Sequence, residues 1–120
     1  VNKGDIVLVP FPFTDLSQNK LRPTVVLWST STSNDVTLCF ISSQSIENLS
    51  EGEFIIHPSD TEFRNTGLKV VSKVRVTRIV TIERSLILRR LGKLSSKHVQ
   101  QLNLARIQVF RLLDSLQTDV

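Results

Sequence analysis

Little in this chain could hold a metal, a nucleotide or a disulfide partner. Cys39 is the single cysteine among 120 residues. That excludes an intrachain disulfide and fits a reducing compartment, with the cytoplasm as the expected address. The two histidines, His57 and His98, show no clustered ligand spacing with each other or with Cys39, and each reads as a surface or boundary residue. Asp15, Asp35 and Asp60 fall in separate polar stretches, so no carboxylate motif forms and neither metal nor cofactor is expected. Four glycines, never in a run, leave no phosphate-cradling loop and no dinucleotide fingerprint. Ser42 and Ser43 lack the Gly-x-Ser-x-Gly elbow of a serine hydrolase. No apolar run approaches the roughly 18 residues of a membrane helix, and Val1-Asn2-Lys3-Gly4 does not open a signal-peptide pattern. The length suits one domain over residues 1–120.

What is present reads mostly as β-strand. Asp5 to Val9 is a β-branched run, expected to stop at Pro10-Phe11-Pro12 because closely spaced prolines do not fit a central strand. Pro23 to Trp28 reads as a second strand, with Pro23 at its first residue and Arg22 held extended before it. The Ser/Thr-rich turn at 29–35 leads into a third strand, Val36 to Ser42. A fourth covers Glu53 to His57, and more strand lies between Leu68 and Glu83. There Lys73, Arg75 and Thr77 alternate with Val74 and Val76. The alternation slips at Thr77-Arg78, which predicts a bulge. The period then changes: Val99, Leu102, Ala105, Val109, Leu112 and Leu116 recur at helical spacing behind a Ser95 or Ser96 cap, predicting a helix from about 97 to 113. The expected fold is mainly β with a C-terminal helix, a small SH3-like β-barrel or half-barrel.

Charge is unevenly spread over the chain. Residues 1–71 hold five lysines and arginines against eight acids, whereas residues 72–97 hold eight basic residues against Glu83 alone. Such a stretch would attract polyanions; it reads equally as a solvated surface that keeps the protein in solution.

One pairing carries more chemistry. Arg22-Pro23 opens the second strand, and Phe40-Ile41-Ser42-Ser43-Gln44 closes the third. If the two strands are antiparallel neighbours, a guanidinium and a hydroxyl approach one another. RNA can be cleaved without metal, because its own 2′-hydroxyl attacks the adjacent phosphorus. The protein then has to orient that attack and stabilise charge on the phosphate oxygens. Arginine suits the second task, being permanently charged and able to donate to two oxygens at once. On spacing alone, the plainer reading has the advantage: Arg22 as a surface arginine paired with Asp15 or a glutamate, and Ser42 as a strand-end hydroxyl satisfying backbone.

Five segments taken in order sharpen the choice: Gly4-Asp5-Ile6-Val7-Leu8-Val9, Arg22-Pro23-Thr24-Val25-Val26-Leu27, Phe40-Ile41-Ser42-Ser43-Gln44, Gly67-Leu68 through Thr81-Ile82-Glu83, and the closing helix. Over roughly residues 3 to 113 the chain resembles the MazF/PemK (Kid) toxin endoribonucleases. The resemblance implies an SH3-like barrel that forms a homodimer, cleaves single-stranded RNA to 2′,3′-cyclic phosphate and 5′-hydroxyl ends without metal, and is neutralised by a cognate antitoxin. It implies a catalytic role for Arg22, with Ser42 in the place of its usual threonine partner. Lys20, Ser43, Gln44, Lys73, Arg75 and Arg78 are then candidate RNA-binding residues. No cofactor and no membrane are implied.

Three departures accompany the likeness. The loop before Arg22 is shorter and lacks a Gly-x-Glu-Gln segment; Ser42 lacks the methyl that would restrict its rotamer; and Val80-Thr81-Ile82-Glu83 replaces Arg-Thr-Ile-Asp. Two other readings share the fold. One is a toxin of the CcdB type that poisons DNA gyrase, whose key contacts would lie at the extreme C-terminus, here Leu116-Gln117-Thr118-Asp119-Val120. The other is an RNA-binding module without catalytic activity.

Overall fold

A computed structural model describes residues 1–11 and 20–114. Among these residues six strands form one antiparallel sheet: β1 (Asp5–Phe11), β2 (Lys20–Ser29), β3 (Asp35–Ser42), β4 (Glu53–Ile56), β5 (Ser72–Glu83) and β6 (Arg89–Lys93), followed by one α-helix, α1 (Ser96–Val109). Their order across the sheet is β4-β5-β3-β2-β1-β6, bent into a mainly β half-barrel with a C-terminal helix, as the strand-then-helix pattern predicts.

Both prolines lie deeper in their strands than expected. Pro10 pairs with Leu21 inside β1, and Pro23 is the fourth residue of β2, opposite Leu8. Each is tolerated where only one neighbour is present. β6 accompanies β1 only as far as Leu8, and β3 joins β2 only from Thr24. A missing N–H therefore breaks no ladder on the open side.

The expected bulge in β5 is present and large. Cys39 faces Ile79 but Phe40 faces Arg75, which leaves Val76, Thr77 and Arg78 unmatched. This irregularity, with another at Leu27 in β2, curls the sheet so that both faces bury apolar side chains. One cluster gathers Ile6, Val25, Cys39, Ile41, Phe54, Ile56, Val74 and Val76 under Leu102 of α1. The other gathers Val7, Val9, Val26, Val36, Leu38 and Ile82 on the opposite face.

β6 is the strand that hydrophobic patterning misses, since Arg-Arg-Leu-Gly-Lys has almost no apolar period. Close approach places it. A side chain at Gly92 would run into the Asn65 and Thr66 backbone of the 3-10 turn Phe63–Thr66. Gly67, at φ +74°, likewise lies too close to Leu91 for any other residue.

α1 is capped by Ser95, whose Oγ accepts from the His98 N–H at 3.1 Å. It ends at Val109, not near 113: Phe110 leaves the helical conformation and Arg111 takes φ +52°. Val99, Ala105 and Val109 pack on the first cluster around fully buried Leu102, while Leu112 is 48% exposed; Leu116 lies outside the described residues. No described helix is long and apolar enough to cross a membrane.

Candidate active site

Register brings the two strand ends of the Arg22/Ser42 pairing to one edge of one face. Thr24 faces Val7 on β1 and Phe40 on β3. Two residues further along, Arg22 faces Val9, and Ser42 faces Lys73 on β5. Strand alternation puts Arg22 and Ser42 on the side of Val7, Val9 and Phe40, away from α1. Thr24 fastens this end of β2: its buried Oγ1 donates to the Val7 carbonyl at 3.1 Å. Pro23 restricts the backbone between that anchor and Arg22.

Arg22 is exposed, and its guanidinium has no hydrogen-bond or ion-pair partner among the described residues. Asp15, a partner considered from sequence, lies outside them. Ser42 is half-buried and its Oγ accepts from the Gln44 N–H at 3.0 Å. Among the described residues its hydroxyl proton has no acceptor. Phe11 and Phe40 meet edge to face beside this end, with ring centroids 5.1 Å apart. An exposed cation, a hydroxyl donor and aromatic surface suit a phosphate ester carrying unstacked bases.

The other sequence candidates divide. Lys20, Ser43, Gln44 and Arg78 are exposed. Lys73 is only 6% exposed, which departs from the groove-lining surface position expected for it. Its ammonium lies 3.1 Å from Glu53 Oε1 and donates to the Ser45 carbonyl at 3.2 Å. Arg75, half-buried, donates through Nε to Glu53 Oε2 at 2.9 Å. Burial pushes the Glu53 carboxyl up, but the Ser50 amide, Arg75 and Lys73 together outweigh it and hold the group below its usual range.

Much of the basic stretch is occupied in the same way. Arg84 donates to the carbonyls of Thr30 and Ser33 at 2.9 and 3.2 Å, closing the β2–β3 turn. Arg90 pairs with buried Asp5 at 3.2 Å, joining β6 to β1. These side chains support the sheet, and a sequence reading of charge alone overcounts the free cations.

Sequence reasoning also missed His98 and Glu53. His98, in the first turn of α1, is buried and not on the surface. Its Nε2 is 3.3 Å from Asp60 Oδ2, its Nδ1 is 3.1 Å from Ser95 Oγ, and its ring stacks on Phe54. Burial lowers its pKa; Asp60 opposes and Lys97 adds to that shift. Glu53 had one available signal, as an acid opening a short apolar strand, a position Asp5 also holds in β1. Burial alone drives the Cys39 thiol up to about 12, partly countered by Arg106, so it is inert as a nucleophile. Among the described residues no group of three or more His, Cys, Asp or Glu side chains gathers to hold a metal ion. Trp28 lies in β2 and is 47% exposed; the tail at 116–120 falls outside the described residues.

A family profile for the PemK-like, MazF-like toxins of type II toxin–antitoxin systems matches residues 2–110. No curated protein matches the chain in sequence. Among solved structures, the fold is similar to a mycobacterial endoribonuclease in complex with its cognate antitoxin, at 16% identity and TM-score 0.69, covering 93% of this chain and 96% of that one. It is similar to the Mycobacterium tuberculosis toxin MazF-mt6, at 21% identity and TM-score 0.67, covering 89% and 96%. It is also similar to MazF in the MazE–MazF structure from Deinococcus radiodurans, at 18% identity and TM-score 0.66, covering 94% and 95%.

Proposed function

The chain belongs to the PemK-like, MazF-like toxins of type II toxin–antitoxin systems, and from that premise we propose that it is an endoribonuclease that cleaves single-stranded RNA without a metal ion. The observation that carries the reading is Arg22, exposed and without a partner among the described residues, at the same sheet end, and on the same face, as Ser42.

In this reaction the substrate's 2′-oxygen forms a bond to phosphorus as the bond to the 5′-oxygen breaks. The 2′-hydroxyl loses its proton and the departing 5′-oxygen gains one, leaving a 2′,3′-cyclic phosphate and a 5′-hydroxyl. Arg22 binds the non-bridging oxygens, where negative charge builds in the transition state. A guanidinium is a poor proton acceptor, so Arg22 stabilises charge and does not serve as the base. Ser42 donates its hydroxyl to the same phosphate, oriented by the bond its oxygen accepts from Gln44. Ser43, Gln44, Lys20 and Arg78, all exposed, border the path of the strand, where phosphate contacts supply affinity and base contacts supply sequence preference; Arg75 is held on Glu53.

A homodimer, a cognate antitoxin and a cytoplasmic address complete the reading. Exposed Leu104, Phe110, Leu112 and Leu113 around the end of α1 support a protein partner for this chain. Two of the similar structures are complexes with an antitoxin or with MazE.

The test is to incubate the purified protein with a long single-stranded RNA in excess EDTA, beside Arg22→Ala. Wild-type-only fragments with cyclic phosphate ends are expected. A folded Arg22→Ala protein that cuts as fast as wild type overturns the mechanism.

A further inference from the structure

Residues 43–52, between β3 and β4, have little apolar anchorage: Leu49 is 47% exposed and only Ile46 and Gly52 are half-buried. The segment is nonetheless tied at three points. At its start the Gln44 amide donates to Ser42 Oγ at 3.0 Å. At its end the Ser50 amide donates to Glu53 Oε1 at 2.8 Å, and the Glu53 amide donates to the Ser50 carbonyl at 3.1 Å. In its middle the Lys73 ammonium donates to two carbonyls, Ser45 at 3.2 Å and Asn48 at 3.5 Å, while resting on Glu53 at 3.1 Å. Ser45 holds φ +51°, a left-handed conformation that a non-glycine residue keeps only where its surroundings enforce it.

Lys73 stands directly across the ladder from Ser42. One buried cation thus spans the catalytic strand end, the loop after it and the acid that fastens the loop's far end. A lysine serving RNA would present its ammonium to solvent; this one spends its donors on the protein. With its side chain 7% exposed and that of Glu53 3% exposed, the pair is shielded from salt.

We propose that Lys73, seated on Glu53, is a positioning residue: it clamps the 43–48 loop so that the Ser42 hydroxyl and Gln44 are presented to the RNA in one geometry. This rests on the ribonuclease reading above. It removes Lys73 from the RNA contacts and makes the loop's shape a property of a buried ion pair. A loosened loop would still let RNA bind through the exposed cations but would misplace the hydroxyl, so the loss falls on turnover.

The experiment compares wild type, Lys73→Met and the double variant Lys73→Met/Glu53→Gln on an RNA oligonucleotide spanning a mapped cut, at several salt concentrations. In the single variant Glu53 keeps only Arg75 as its partner; the double variant removes that buried carboxylate and leaves only Arg75, whose side chain is 33% exposed, without an acid, so it keeps the test available if the single variant fails to fold. The expected result is a kcat reduced at least about tenfold, a KM within about twofold, and an unchanged dependence of KM on salt. A raised KM with unchanged kcat, and a log–log salt slope smaller by about one, is the signature of a lost phosphate contact and overturns the proposal. Amide hydrogen exchange gives a readout that needs no activity. Gln44 and Asn48 should exchange faster in the variants while β1 and β2 do not, and unchanged protection at both amides overturns the clamp. If wild type cuts no RNA, the ribonuclease reading falls and the exchange result still decides whether the clamp exists.

Discussion

Two groups of cations lie on this sheet, and they do opposite work. At the β2 end, Arg22 is exposed and unpaired among the described residues. In β5, in the turn just after it and in β6, Lys73, Arg75, Arg84 and Arg90 each rest on an acid or a carbonyl. By charge density the second group looks like the nucleic-acid surface, and by availability the first does. A cation already satisfied by the fold offers little to a phosphate, because binding would first have to break what it holds. Arg22 therefore carries the functional argument, and the occupied cations are chiefly architecture, whereas Arg78, Arg89 and Lys93 of the same stretch are exposed.

Removing Glu53 should have the largest effect on the architectural side. Glu53→Ala leaves the Lys73 ammonium buried without a counter-charge and should cost about 3–5 kcal/mol of stability, read from urea unfolding. A loss below about 1 kcal/mol would mean that Lys73 reaches solvent.

Arg22→Ala should reverse the pattern. Cleavage should fall roughly a hundred- to a thousandfold, the value of one well-aimed donor to a developing oxyanion, while the thermal midpoint stays within experimental scatter. A variant that unfolds earlier would place Arg22 with the architectural cations and erase the contrast.

Ser42→Ala should cost less, about 2 kcal/mol or roughly thirtyfold in kcat, since it removes one hydrogen bond to a charged group. Ser42→Thr should keep activity or raise it, by narrowing the hydroxyl's rotamers.

Arg90→Ala should change stability by less than about 1 kcal/mol, because the Arg90 side chain is 52% exposed and water screens its pair with Asp5.

Acid should separate two of the buried groups by pH window. Burial lowers the His98 pKa in the folded state. Below about pH 6.5 the unfolded chain takes up a proton that the folded chain resists, so stability falls from there down to the folded pKa. Glu53, held low, contributes stability above roughly pH 4.3 that is lost as pH falls through its folded pKa. His98→Gln should flatten only the first decline, and Glu53→Gln only the second.

The strands built from β-branched runs, β1 to β3 and the alternating part of β5, were legible because burying a face demands a period of two. The bulge near Thr77 was legible as a break in that period. β6 was not, since a Gly and three basic residues carry no such period and Gly92 is chosen by the backbone it touches. The helix end was overrun because Leu112 and Leu116 keep the spacing after the backbone has turned at Arg111. The Arg22–Ser42 placement was readable from order along the chain. The seating of Lys73 was not, because Glu53 lies twenty residues away on another strand.

The chain by itself determined the strand-then-helix order, the absence of cysteine and glycine chemistry, and the family likeness carried by its ordered motifs. These are local patterns or residue identities, and they survive without coordinates. Only the tertiary structure decided which cations are free, which proline breaks no ladder, and which histidine is buried. Each of these depends on what a distant segment brings alongside, and burial and partnership belong to pairs of residues and not to positions.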